Sequence, residues 1–119
     1  KFATSHNGIN WERNNDIAID FKNQSEYAIS KPSVIFKEGV YHMVFCARGD
    51  KYKLGYANSR DGIIWNRSDS KININLSESG WDSEEMCYPS IFKHKNYLYL
   101  IYAGNDYGNA GIGIARSRI

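Results

Sequence analysis

The residues best suited to chemistry stand in one stretch, Gly80 to Pro89, where Asp82, Glu84 and Glu85 bring three carboxyl groups within four positions. A carboxyl group held beside a substrate acts as a general acid or a general base. The same three acids are equally typical of a solvated loop that caps the end of a strand. The residues alone therefore leave both interpretations of this stretch open.

The elements that must position this stretch recur along the chain. Three segments return in the same order at spacings of 54 to 58 residues. They are Ser5–Arg13 and Ser59–Arg67, Pro32–Lys37 and Pro89–Lys93, and Leu54–Ser59 and Ile112–Ser117. A period in the fifties with strand-like contents predicts an array of β-sheets such as propeller blades. About two units are present, whereas a closed propeller needs roughly four or more.

Long apolar segments predict the central strand of each unit. Val40–Ala47 is apolar at nearly every position, and Asn96–Ala103 has the same character. A strand that is apolar on both faces is expected to lie between two layers. Short strands at 33–37 and 90–93 precede the long ones, and tight hairpin turns such as Glu38-Gly39 join each pair. The nine Tyr of the chain also favour strands over helices.

Glycines mark the third strand of each unit and the turn that follows it. Gly55 and Gly113 lack side chains at positions where neighbouring layers are expected to come close. Asn7-Gly8 and Asp61-Gly62 predict two-residue hairpin turns. Asp61 is therefore assigned to a turn and not to catalysis.

Two tryptophans and two long connections complete the unit. Trp11 and Trp65 each stand three residues after the glycine of the turn, and each is expected to cover the core of its unit. The segments 14–31 and 68–88 connect the units, and connections of this length are often functional. No helix of ordinary length is predicted anywhere in the chain.

Composition and spacing exclude several classes of function. The net charge is +2 with both signs spread along the chain, so no nucleic-acid partner is expected. The longest apolar run, Tyr97 to Ala103, is far shorter than the roughly 20 residues of a membrane helix, so no membrane partner is expected either. No metal-ligand spacing is visible, so no metal and no other cofactor is expected. Cys46 and Cys87 fit no zinc or redox motif, which predicts two buried free thiols, with a disulfide as the alternative.

The recurring motifs carry a family resemblance. A Ser-x-Asp-Gly-x-x-Trp hairpin, a Pro-Ser-Val/Ile strand opening and a Gly-x-Ala-x-Ser third strand resemble the five-bladed β-propeller glycosidases, which include arabinanases, β-xylosidases, invertases, levansucrases and mannoside phosphorylases. The stretches 80–89 and 102–108 resemble the C-terminal end of glycosidase-like proteins from bacterial surface-polysaccharide gene clusters. The resemblance implies an all-β fold of antiparallel β-propeller blades, about two of five. Its single partial domain would hold the end of one blade at 2–13, a full blade at 33–67 and an incomplete blade at 90–117.

The resemblance also implies a site. In such enzymes one carboxylic acid protonates the leaving oxygen, and a second carboxylate activates water or attacks the sugar. The acid is placed at Glu85, and Glu84 is equally placed by sequence. The ligand-binding residues that it implies are Arg48, Trp81, Asp82, Tyr88, Asn105 and Tyr107. The three rings would stack on sugars, with packing as the alternative, and Arg48 would bind a carboxylate, a phosphate or a hydroxyl, with a salt bridge to Asp50 as the alternative.

Two functions and one structural role follow from these residues. The first is a glycan-processing hydrolase or phosphorylase that acts on a bacterial polysaccharide or oligosaccharide, with its remaining catalytic carboxylates supplied from outside this chain. The second is a non-catalytic carbohydrate-binding or oligomeric assembly module. The third is a structural fragment. The expected partners are a carbohydrate and either further copies of the chain or the missing remainder of the propeller, and the cytoplasm is the favoured location.

Overall fold

The computed structural model describes residues 1–119 as an all-β chain in which every sheet is antiparallel. Its strands are β1 (Ala3–Thr4), β2 (Glu12–Arg13), β3 (Ala28–Lys37), β4 (Val40–Arg48), β5 (Tyr52–Ser59), β6 (Asn66–Arg67), β7 (Cys87–His94), β8 (Tyr97–Ala103) and β9 (Ile112–Arg118). β1 and β2 form a ribbon, β3 to β6 form a four-stranded sheet in chain order, and β7 to β9 form a three-stranded sheet. The helical segments are two 3₁₀ turns, Asp69–Lys71 and Asp106–Gly108. Neither has the length or the apolar character of a membrane-crossing helix.

The core forms on both faces of β4. One buried cluster lies between the two larger sheets and consists of Val44, Leu54, Met86, Leu100 and Tyr102. The second cluster lies on the opposite face and consists of Met43, Phe45, Ala47 and Ala57. Because side chains alternate along a strand, β4 supplies residues to both clusters. The prediction that this strand lies between two layers is confirmed.

The two predicted close approaches at glycine are confirmed. A Cβ atom at Gly55 would overlap the ring of Phe45, and a Cβ atom at Gly113 would lie 2.5 Å from Cζ of Tyr102. Each glycine lets a large ring lie flat across the neighbouring strand. The ring of Phe45 is fully buried as a result.

The inner strands begin earlier than the sequence pattern indicates. β3 begins at Ala28 and β7 at Cys87, ahead of the predicted starts at 33 and 90. Each ladder shifts register beside its proline, where Lys31 and Tyr88 have φ of 54° and 52°. A bulge residue in the left-handed conformation lets the ladder continue past a proline that has no N–H to donate.

The Asn-Gly and Asp-Gly loops are longer than predicted. Residues 5–11 separate β1 from β2 and residues 60–65 separate β5 from β6, so the prediction of two-residue turns is wrong. The Asp61 carboxylate accepts hydrogen bonds from the N–H groups of Ile63 and Ile64 at 2.8 and 2.9 Å. These bonds lower the pKa of Asp61. Side-chain acceptors thus replace the ladder bonds of a tight turn, and the assignment of Asp61 to the turn is confirmed.

The two tryptophans differ in their surroundings. Trp65 packs against the second cluster, and its Nε1 donates to the carbonyl of Gly62 at 3.0 Å. Its predicted role as a cover over the core is confirmed. Trp11 is 61% exposed, and the same prediction is wrong there, because the β1–β2 ribbon has no buried cluster of its own.

Both long connections are held against the sheets. The second connection contributes three apolar side chains to the first cluster, namely Ile72, Ile74 and Leu76. The first connection is held by Arg67 of β6, which donates to the two carboxylate oxygens of Glu26 at 2.7 and 2.8 Å. Arg67 also donates to Asp69 at 2.8 Å. The three side chains are only 13% to 19% exposed, so this ion-pair network is largely shielded from water.

The Glu26–Arg67 pair predicts a pH-dependent stability. Burial raises the pKa of Glu26, but hydrogen bonds from Arg67 and from the Lys22 N–H outweigh it, so the pKa lies below its ordinary value of 4.5. A carboxyl group with a depressed folded pKa stabilises the fold above its unfolded pKa, and this contribution is lost as the pH falls through the folded value. Glu26→Gln is expected to lower the free energy of unfolding by about 1–3 kcal/mol near neutral pH.

Urea unfolding at about pH 7 and about pH 3 measures this effect. The difference between wild type and Glu26→Gln is expected to shrink at the lower pH, because both side chains are then uncharged. The exposed Glu12→Gln serves as the control and is expected to change little at either pH. A difference that is equal at both pH values would contradict the assigned role of the pair.

Candidate functional site

Most of the predicted site residues come together at one edge of the two larger sheets. In an antiparallel sheet the end of one strand lies beside the start of the next. Arg48 at the end of β4 therefore pairs with Tyr52 at the start of β5. Tyr88 at the start of β7 and Tyr107 in the second 3₁₀ turn lie beside them. We name this edge the rim, and its residues are Tyr27, Lys31, Arg48, Tyr52, Glu84, Glu85, Tyr88, Asn105 and Tyr107.

Asn105 orders the acid-rich loop. Its Oδ1 accepts from the N–H of Glu84 at 2.8 Å and from the N–H of Glu85 at 3.1 Å. Its Nδ2 donates to the carbonyl of Gly80 at 2.9 Å, and its backbone N–H donates to the carbonyl of Trp81 at 2.7 Å. The amide that was predicted to bind a ligand is thus engaged with the loop itself.

The two candidate catalytic carboxylates have different surroundings. Glu85 is half-buried, and its Oε1 accepts from the backbone N–H of Tyr107 at 2.6 Å. Its second oxygen accepts no hydrogen bond from the protein, so one oxygen is held and the other is free. Glu84 is exposed, and no partner within the chain holds its carboxylate. No group of three or more His, Cys, Asp or Glu side chains lies close enough together to hold a metal ion.

Asp82 and Trp81 pack beneath the loop. Asp82 is buried, and its Oδ2 accepts from the hydroxyl of Tyr102 at 3.3 Å. Burial, and after it the charge of Asp82, raises the pKa of Tyr102. Trp81 stacks on Tyr102 with 5.6 Å between the ring centroids and lies against Gly104. Burial removes Asp82 from the exposed surface, where a ligand-binding role had been expected.

Arg48 lies among tyrosines. Its Nη1 donates to the hydroxyl of Tyr107 at 2.9 Å, and this bond raises the pKa of the guanidinium. Its Cζ lies 5.9 and 5.1 Å from the ring centroids of Tyr27 and Tyr52, which is a cation–π distance. The salt bridge to Asp50 that the sequence left open is not formed.

Sequence reasoning missed Tyr27 and Tyr52. The Tyr27 N–H donates to the carbonyl of Arg48 at 2.9 Å, and the Tyr52 carbonyl accepts from the N–H of Met86 at 3.0 Å. Both residues stand just outside the strands that hydrophobic periodicity delimited. Their position next to a strand end was the available signal, because strand ends on one edge of a sheet meet in space.

Tyr88 and Tyr107 form the aromatic surface of the rim. Their ring centroids lie 6.1 Å apart with 25° between the planes. Both residues are exposed, at 42% and 49%. The Nζ of Lys31 lies 5.5 Å from the centroid of the Tyr88 ring. The two rings predicted as stacking platforms are therefore adjacent and open to solvent.

The two cysteines lie buried beside the rim as free thiols, which confirms the first expectation for them. Burial, with the charge of Glu85 as the second cause, raises the pKa of Cys87 to about 11. A thiol with that pKa is protonated at neutral pH and is a poor nucleophile. The Sγ of Cys46 lies 3.3 Å from Oγ of Ser30, which gives it a polar partner.

Comparison with known proteins gives two relatives by sequence. No protein-family model matches the chain. Two uncharacterised proteins of Mycobacterium tuberculosis, MT1551 of strain CDC 1551 / Oshkosh and Rv1502 of strain ATCC 25618 / H37Rv, are each 36% identical over 115 residues. Each match covers 97% of this chain and 38% of the relative, so the chain spans well under half the length of these curated relatives.

Solved structures share the fold at low sequence identity. A glycoside hydrolase matches with a TM-score of 0.74 and a complex of BT0996 with RGII matches with 0.75; each is 20% identical, and each match covers 98% of this chain and 35% of the other. Zg3597, a family 117 glycoside hydrolase of the marine bacterium Zobellia galactanivorans, matches with a TM-score of 0.59 and 19% identity, over 84% of this chain and 37% of that one. The predicted all-β fold of antiparallel sheets is confirmed, and it is similar to part of these glycoside hydrolases.

Asn105→Ala is expected to loosen the acid-rich loop. The substitution leaves two N–H groups and one carbonyl without their partner, and each bond contributes about 0.5–1.5 kcal/mol. We expect the free energy of unfolding to fall by about 2–3 kcal/mol and the amides of Glu84 and Glu85 to exchange faster with deuterium. Asn105→Asp keeps the acceptor and loses only the bond to Gly80, so its loss should be smaller. Equal losses in the two variants would show that Oδ1 does not hold the loop.

Proposed function

We propose that the chain is part of a glycan-processing protein of the glycoside hydrolase type, in which the rim binds a sugar and Glu85 is the acid–base carboxylate. The observation that carries the proposal is the position of Glu85. One of its oxygens is held by the Tyr107 N–H and the other is free, beside the exposed rings of Tyr88 and Tyr107. The similarity to solved glycoside hydrolases supports the proposal, as does the carbohydrate complex of BT0996 with RGII.

The proposed reaction divides its chemistry between the rim and a group outside the chain. Aromatic faces match the C–H face of a pyranose, so Tyr88 and Tyr107 would position one sugar ring. The free oxygen of Glu85 would protonate the leaving glycosidic oxygen. A second carboxylate must then activate water or attack the anomeric carbon. Glu84 stands next to Glu85 on the same loop, so we place the second group outside this chain, on the far side of the sugar.

A non-catalytic carbohydrate-binding module is the second candidate. The observation that favours it is the number of carboxylates at the rim: only Glu84 and Glu85 carry them, and Asp82 is buried. A module of this kind would use Tyr88 and Tyr107 in the same way and would need no proton transfer.

Glu85→Gln separates the two candidates. Glutamine keeps an oxygen that accepts from the Tyr107 N–H but has no acidic proton. For the enzyme, turnover of aryl glycosides or oligosaccharides is expected to fall by about 10²–10⁴-fold with binding largely retained. The exposed Glu78→Gln serves as the control and should keep full turnover. Unchanged turnover in Glu85→Gln would exclude Glu85 as the acid, and sugar binding without turnover in the wild type would favour the module.

We also propose that further β-sheets cover the outer faces of the chain, as in a five-bladed propeller. On the face of the three-stranded sheet that points away from β4, Phe92 is 40% exposed and Ile112 and Ile114 are each 68% exposed. β9 also has one unpaired edge. Exposed apolar surface and free strand edges mark sites of association. The rest of a longer polypeptide is the proposed cover, and further copies of this chain are the alternative.

Native mass spectrometry of the isolated chain tests the exposed surface. We expect species heavier than the 13.6 kDa single chain, together with strong binding of a dye for apolar surface, because the uncovered faces bury one another. A defined ring would support the homo-oligomer, and polydisperse aggregates would support the missing remainder. A well-behaved 13.6 kDa monomer that binds little dye would refute both.

A further inference from the structure

We propose that the ligand of the rim is an acidic glycan and that Arg48 and Lys31 bind the oxyanion, a carboxylate or a sulfate, that its sugar carries. The inference rests on the proposed binding of carbohydrate at the rim and names the class of sugar. Four observations support it: the unpaired charge of Arg48, the contrast with Arg67, the position of Lys31, and the layout of charge along Tyr107.

The charge of Arg48 is not neutralised within the chain. No carboxylate oxygen lies within 4.0 Å of its guanidinium nitrogens, and its one hydrogen bond goes to the neutral hydroxyl of Tyr107. Its Nε is the only buried side-chain nitrogen or oxygen atom in the chain that has no hydrogen-bond partner. Buried donors in folded proteins nearly always have partners, so an unpaired one calls for a specific explanation. Packing against Tyr27 and Tyr52 holds this guanidinium, and no acid does.

Arg67 shows how an arginine with a structural role is bound in the same sheet. It donates to Glu26 at 2.7 and 2.8 Å and to Asp69 at 2.8 Å, so two carboxylates satisfy one guanidinium. Arg48 also differs from Asn105, which stands 57 residues later in the second unit. Asn105 holds a loop through three side-chain hydrogen bonds, whereas the Arg48 side chain donates to no backbone group. Neither the sheet nor the loop requires a cation at position 48.

Lys31 brings a second unpaired cation to the rim. It is exposed, no carboxylate lies within 4.0 Å of its Nζ, and that Nζ lies above the Tyr88 ring. The bulge before Pro32 holds Lys31 at φ 54°, a conformation that non-glycine residues seldom adopt and that clusters at functional sites. Two unpaired cations around one aromatic surface create a positive local potential that attracts anions.

Tyr107 joins the cationic and acidic parts of the rim. Its hydroxyl accepts from Arg48, and its backbone N–H donates to Glu85. A sugar stacked on this ring and on Tyr88 would therefore have an arginine near one end and a carboxylate near the other. An oxyanion substituent of the sugar fits the arginine end, because a guanidinium binds carboxylate and sulfate oxygens through charge-assisted hydrogen bonds. The glycosidic oxygen fits the end near Glu85.

Calorimetric titration of the full polypeptide in which the chain occurs tests the inference. The probes are an oligogalacturonate and its carboxyl-reduced neutral form, and a sulfated galactan oligosaccharide and its desulfated form. We expect one acidic probe to bind at least about tenfold more tightly than its neutral counterpart, the effect of one charge-assisted hydrogen bond. The pair that shows this preference identifies the oxyanion as carboxylate or sulfate.

Three variants assign the preference to the rim. Arg48→Gln is expected to abolish it, and Lys31→Gln to reduce it by a factor of about three to ten. Lys31 is exposed and makes no hydrogen bond, so its variant is expected to fold even if Arg48→Gln does not. Lys93→Gln changes an exposed lysine at the other end of β7 and should leave the preference intact.

The outcomes separate this inference from the proposed function. Equal binding of acidic and neutral probes would overturn the acidic-glycan assignment while supporting carbohydrate binding at the rim. An acidic preference that persists in both Arg48→Gln and Lys31→Gln would also overturn it. Binding of none of the four probes would overturn the inference and count against the proposed function as well.

Discussion

Burial of β4 on both faces is the constraint on which the rest of the structure depends. Val44 and Phe45 are neighbours on this strand, point in opposite directions and are both almost fully buried. A sheet with such a strand cannot leave either face in water, so each face must carry another layer. On one side that layer is the three-stranded sheet with the second connection. On the other it is Trp65 and the first connection. The rim forms where this two-sided packing brings the strand ends of both sheets together.

Local conformational strain accompanies the rim. Lys31, Tyr88, Asp106 and Tyr107 all have φ between 52° and 55°, in the left-handed region that favours glycine. Residues held in that region cost about 1–3 kcal/mol each and persist only where the surroundings over-determine them. Here the resumed ladders after the two prolines fix Lys31 and Tyr88, and the bond from the Tyr107 N–H to Glu85 helps to fix the turn after β8. The fold thus holds side chains at the rim in positions that relaxed strands would not give them.

The sequence predicted the strands better than it predicted what lies between them. Alternation and apolar runs located β4 and β8, because burial on both faces leaves a signal at every residue. The early starts of β3 and β7 left no such signal, because a bulge breaks the alternation at Lys31 and Tyr88. The Asp-Gly loop was expected to be tight because the dipeptide favours a two-residue turn, but the Asp61 carboxylate instead bonds two backbone N–H groups and supports a longer loop.

The same division applies to the site. Glu85, Tyr88 and Tyr107 could be proposed from residue type and from a family resemblance, whereas the burial of Asp82 depends on Tyr102, 20 residues away, and could not be read locally. Tyr27 and Tyr52 were missed for a related reason, since each acts through Arg48 across strands and not through its neighbours in sequence.

Glycoside cleavage needs two carboxyl groups on opposite sides of one bond, separated by roughly 5–9.5 Å. The rim offers Glu84 and Glu85, which are adjacent in one loop, and Asn105 holds the N–H groups of both with a single oxygen atom. Two side chains fixed on the same short segment cannot flank a sugar that stacks on Tyr88 and Tyr107. In the proposed enzyme, therefore, this chain contributes the aromatic platform, the cations and one carboxylate. The opposing carboxylate must come from whatever covers the uncovered sheet faces, so closure of the fold and completion of the active site are one requirement.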